Sequence, residues 1–95
     1  MALSASAEIG NPFAHNPNLI LVPVIASFDT LGKIIPLYFR YEGLRLKIDH
    51  IKWFNDRTVD VIKFCCEITL QDRVQEVIFY YHKKNGMWTL EKIRE

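Results

Sequence analysis

Residues 36–49 read PLYFRYEGLRLKID, and the alternation within them decides the fold. Glu42-Gly43 has the composition of a two-residue hairpin turn, which sets Tyr41 opposite Leu44, Phe39 opposite Leu46 and Leu37 opposite Ile48. Side chains alternate along a strand, so these six apolar residues share one face and predict the side turned to the core. The other face then carries Arg40 opposite Arg45 and Tyr38 opposite Lys47. Like charges directly opposite each other work against strand pairing.

The same pattern extends in both directions. From Leu19 onward, β-branched and aromatic runs are punctuated by DTLGK (29–33), YEGL (41–44), NDRT (55–58), LQDRV (70–74) and KKNGM (83–87). Connections this short cannot hold a crossover helix, so consecutive strands must be antiparallel neighbours. The spacing predicts six strands at about 20–29, 33–41, 44–54, 59–70, 74–83 and 87–93, with almost no helix. In the first, Val22, Val24, Ala26 and Phe28 form the inward face if Leu31-Gly32 is the turn; a longer, bulged turn would move that pairing by one residue. In the third, Leu44, Leu46 and Ile48 are out of phase with Ile51 and Trp53, which predicts a β-bulge near Asp49-His50. The fourth turns Ile62, Phe64, Cys66 and Ile68 inward and leaves Cys65 on the outer face. The fifth is large and apolar on both sides.

The fold expected is all-β: a six-stranded antiparallel meander forming a small barrel or strongly coiled sheet, in one domain over residues 19–95. Pro23 and Pro36 each remove a ladder donor and belong at edges or bulges, so closure near them should be imperfect. Residues 1–18 are small and polar, with two Asn-Pro steps, and predict a flexible N-terminal arm that could cover such a gap. A short helix over residues 3–9 is compatible with its alanines.

Composition bounds the function only loosely. The chain has 95 residues, 49% hydrophobic, with twelve basic against eleven acidic side chains, an ordinary globular balance. No apolar run is long enough to span a bilayer as a helix, the longest being Leu19 to Ala26. The start MALSASAEIGNPFAHNPNL has no basic n-region or apolar h-region, so the cytoplasm is the expected location. Cys65 and Cys66 are neighbours that point to opposite faces, which argues against a disulfide between them.

Catalytic chemistry finds little support. His15, His50 and His82 fall in separate segments with no metal-ligand spacing, and no phosphate-binding glycine loop or nucleophile elbow occurs. A cysteine paired with His82 across the fourth and fifth strands would be the one nucleophile and base, against which stands the habit of buried cysteine to act as a small hydrophobe. The expectation is a non-catalytic protein without a cofactor or metal.

Two surfaces remain. Tyr38, Arg40, Arg45 and Lys47 make a candidate anion or nucleic-acid patch, with arginine forks for phosphates and a ring for stacking. The net charge of +1 lacks the strongly basic balance usual for nucleic-acid domains, so a solvated face of mixed charge, balanced by Glu42 and Asp49, is the plainer alternative. Ile78 and Tyr80 on the two-faced fifth strand, with Trp88 if it is exposed beside them, make a candidate interface for a protein partner or a second copy. Otherwise Trp88 closes the core. An interaction module for an unidentified protein or itself is the first expectation, and nucleic-acid or polyanion binding the alternative.

The segments VIASFDTLGKIIPLYFRYEG, LRLKIDHI and VIFYYHKKNGMWTL together resemble small uncharacterised all-β proteins of Firmicutes-type bacteria, over about residues 24–90. The resemblance implies a compact β fold, a bacterial or mobile-element origin and a cytoplasmic setting. It carries no functional residues.

Overall fold

A computed structural model describes residues 18–91 and Ile93. The expected N-terminal arm, with its possible helix, therefore lies outside the described residues apart from Asn18. Eight strands follow in order: β1 (Leu19–Leu21), β2 (Val24–Phe28), β3 (Ile34–Tyr41), β4 (Leu44–Lys47), β5 (His50–Asn55), β6 (Val61–Leu70), β7 (Arg73–His82) and β8 (Met87–Glu91). They form a five-stranded antiparallel sheet, β1-β8-β7-β6-β5, packed on a three-stranded one, β2-β3-β4. Among the described residues no helix is long and apolar enough to cross a membrane.

The all-β, antiparallel expectation holds, but the chain makes eight strands and no closed barrel. The difference lies in two corners. The first and third expected strands each bend between sheets, at Val22-Pro23 and at Ile48-Asp49. At each corner the ladder bonds divide between the sheets. Val22 N–H donates to the Trp88 carbonyl at 3.2 Å, whereas the Pro23 carbonyl accepts from Arg40 at 3.1 Å. Likewise Ile48 N–H reaches the Leu37 carbonyl and Asp49 N–H that of Glu67, both at 2.9 Å. A twisted sheet that folds over its own core can do so by letting strands change sheets at bends, because side chains on one face cannot all reach the centre of a flat one.

The hairpin at residues 36–49 keeps its expected register: Tyr41 pairs with Leu44, Arg40 with Arg45, Phe39 with Leu46 and Tyr38 with Lys47. Glu42 and Gly43 both take positive φ, 50° and 80°, which gives the turn the handedness of the strand twist. The inward face is only partly as expected. Phe39 and Ile48 are buried, Tyr41 and Leu46 pack against the core, but Leu37 and Leu44 are exposed.

Leu37 is displaced by the preceding turn. Asp29 accepts the Leu31 and Lys33 amides on its carboxylate at 2.9 and 2.7 Å, building a longer loop with Gly32 at φ +84°. That loop pairs Phe28 with Ile34 rather than Ile35, a shift of one. The register is restored between Ile25 and Ala26, where Tyr38 and Pro36 are the successive partners and Leu37 is the extra residue of a bulge. Val24 thereby meets Phe39. Pro36, without an N–H, is tolerated beside this irregularity and is fully buried.

The core lies between the sheets. Phe39 from β3 meets Phe79 from β7 edge to face at 4.9 Å, and Ile62, Phe64, Cys66, Ile68 and Leu70 line the inner face of β6. The two-faced strand is resolved by its pairing: Val77, Phe79 and Tyr81 turn inward, Ile78 and Tyr80 outward. Cys65 does face outward yet is buried, between Trp53 and Ile78 on the flanking strands.

Candidate functional site

The basic hairpin is assembled as its sequence spacing requires. Because the two-residue turn makes Tyr41 and Leu44 a hydrogen-bonded pair, the next pair, Arg40 and Arg45, falls at a non-hydrogen-bonded position, where opposing side chains are closest. Arg45 relieves the crowding by stacking on Tyr38, its guanidinium carbon 4.7 Å from the ring centroid. Neither expected carboxylate compensates the charge. The Asp49 carboxylate accepts the Thr69 hydroxyl at 2.9 Å, and among the described residues Arg40, Arg45 and Lys47 form no ion pair. Ile25, the β2 partner of Tyr38, is half exposed and adjoins them. Between them runs a groove of about 440 Å³, bounded by Pro23, Val24, Ile25, Tyr38, Arg40 and Arg45.

The second candidate surface is taken apart. Ile78 and Tyr80 lie half buried on the outer face of the five-stranded sheet, but Trp88 points the other way and is 7% exposed. The reason is position: β8 lies between β1 and β7, and Trp88, paired with Tyr81, falls on the inward register. Its ring packs against Tyr81, Phe64 and Phe79, with centroids at 4.9, 5.6 and 6.4 Å. Trp88 therefore closes the core. Tyr80 is engaged as well, donating its hydroxyl to the Glu91 carboxylate at 2.6 Å; burial, with that bond, pushes its pKa up to about 12. Lys63 sits between Trp53 and Tyr80, 5.7 Å from each ring.

The possible nucleophile and base are also set apart. His82 pairs with Val61, four residues along β6 from Cys65, and its Nε2 shares a 3.0 Å hydrogen bond with the Thr89 hydroxyl. Both thiols are buried, and burial drives the Cys66 pKa up to about 12 and raises that of Cys65, leaving neither as a ready thiolate. Among the described residues no cluster of three His, Cys, Asp or Glu could hold a metal ion.

A third feature was not evident from sequence spacing. Between the start of β3 and the outer edge of β5 the sheets splay into an open cleft of about 690 Å³. Ile62 and Phe64 form its floor, Ile34, Ile35 and Ile51 its walls, and Leu31 and Phe54 its exposed rim. The phase break expected near Asp49-His50 occurs in two steps, the corner and a bulge at Lys52 that leaves Trp53 opposite Cys65 on the outer face. Phe54 then leans over Phe64, with centroids 6.2 Å apart. The signal in the sequence is the Trp53-Phe54 doublet, since adjacent strand residues cannot both turn inward.

The backbone beside the cleft is incompletely paired. Among the described residues Ile34–Pro36 pair only with β2, because bonding from the β4 side stops at Leu37, and β5 pairs only with β6. Comparison with protein-family models, curated proteins and solved structures returns no match. Function therefore rests on the chemistry of these surfaces.

Proposed function

We propose that this protein is a small non-catalytic interaction module of the cytoplasm that binds an extended segment of a partner protein in the cleft between β3 and β5. The observation that carries the reading is the coincidence of two unpaired strand edges with an apolar cleft between them. An exposed edge is a template for another strand, and main-chain pairing supplies affinity while pockets for alternate side chains supply selectivity. The bulge at Lys52 limits the regular part of the β5 edge to Trp53–Asn55, which suits a short segment. Phe54 and Leu31 would cover alternate apolar residues of the guest, and Ile62 with Phe64 would receive the one pointing down. The separation of His82 from Cys65 and the burial of both thiols support a binding role over a catalytic one.

Selection from a displayed library of random peptides tests the reading. Recovery of short sequences with alternating apolar residues, whose binding is lost in Phe54→Glu and kept in Val74→Glu at the far β6–β7 tip, is the expected result. Light scattering across a dilution series distinguishes a second copy as the guest. A strictly monomeric protein that enriches no peptide would sink the proposal.

A further inference from the structure

We infer that the outer face of the three-stranded sheet is a separate binding site for single-stranded nucleic acid. Three cations, Arg40, Arg45 and Lys47, are held on one hairpin face by its register, and among the described residues no carboxylate neutralises them. Asp49 is committed to Thr69, and among the described residues Glu42, in the turn between the two arginines, forms no ion pair with either. A folded domain that places two arginines at the closest type of cross-strand pair retains repulsion that a bound polyanion would remove.

The surroundings narrow the class of anion. Arg45 sits over the Tyr38 ring, its guanidinium carbon 4.7 Å from the centroid, and its planar fork is of the kind that grips phosphate oxygens. Beside it the groove is lined by Pro23, Val24 and Ile25, of which Ile25 is a half-exposed apolar side chain. Arginine forks beside a tyrosine ring and an exposed apolar side chain match a strand whose bases are unpaired and free to contact the protein. An anionic membrane would favour a broader basic surface than a chain of net charge +1 provides. The near-neutral total also predicts a short footprint, with three phosphate contacts giving a salt slope of roughly −2 in log–log form, at about −0.7 per contact for a single strand.

Fluorescence anisotropy with labelled oligothymidine at low salt tests the inference. The expected result is binding that weakens along that slope, falls about tenfold or more in Arg40→Ala/Arg45→Ala, and persists in Lys84→Ala, a lysine of the β7–β8 turn that faces Asp60. Removing the like-charge pair should leave folding intact, which thermal unfolding verifies; Lys47→Ala, with a slope shallower by about 0.7, is a second probe that leaves the hairpin core untouched. Absence of binding at low salt overturns the inference, as does equal affinity for duplex DNA, or binding to phosphatidylserine vesicles without binding to the oligonucleotide.

Discussion

Phe39 and Phe79 meet edge to face across the two sheets, their ring centroids 4.9 Å apart and both side chains almost wholly removed from solvent. No backbone pairing joins β3 to β7, so this contact is one of the side-chain ties that hold the three-stranded sheet over the five-stranded one. Phe39→Ala should lower unfolding free energy by about 3–5 kcal/mol, and Phe79→Ala by a similar amount. A double-mutant cycle in urea should return a coupling of about 0.5–1.5 kcal/mol beyond the loss of buried area. Strict additivity would show that the rings contribute burial alone.

The turns make a second, opposed pair of predictions. Gly43 stands at φ +80° with nothing within 4 Å of where a Cβ would lie, so Gly43→Ala meets backbone strain without a clash and should cost about 1–2 kcal/mol. Gln71 and Asp72 both hold positive φ in the β6–β7 turn, where Asn-Gly is the preferred pair. Gln71→Asn/Asp72→Gly should therefore raise the thermal midpoint. A midpoint that falls would place the strain elsewhere.

His82 ties stability to pH. Burial lowers its folded-state pKa below the ordinary 6.5, so the unfolded chain binds the proton more readily. Stability from this residue is full above the unfolded value, declines as pH falls through it, and stops changing below the folded pKa. His82→Gln should flatten the urea midpoint over that window relative to wild type. An unchanged pH profile would remove His82 as its source.

Lys52 supports the outer face of the five-stranded sheet. Its ammonium bridges Glu76 and, at 3.9 Å, Glu67, two carboxylates that pair directly across β6 and β7. The hydrogen bond and charge of Glu76 raise the Lys52 pKa, and Lys52 in turn lowers that of Glu76. Lys52→Ala leaves the glutamates facing each other, so its urea midpoint should drop at low salt and return towards wild type at high salt. A loss independent of salt would point to packing by the lysine stem.

The thiols offer a chemical check on the fold. Cys65 and Cys66 are 1% and 0% exposed, and burial raises both pKa values. A disulfide-exchange reagent at neutral pH should label neither in the native protein and both in urea. Rapid native labelling of Cys65 would mean that the cover provided by Trp53 and Ile78 opens.

What the sequence determined by itself was local: the all-β, antiparallel character, the register of the 36–49 hairpin and the face shared by Tyr38, Arg40, Arg45 and Lys47, but not the division into eight strands. These follow from a period of two and from turn chemistry, both written within a few residues. The tertiary structure alone decided that Leu37 becomes a bulge, that Trp88 seals the core instead of joining Ile78 and Tyr80, and that β4 and β5 part at Ile48-Asp49 to leave a cleft. Each depends on which strand lies beside which and on where a twisted sheet bends over its core. Alternation assigns a side chain to one of two faces; only packing determines which face is covered, and how far.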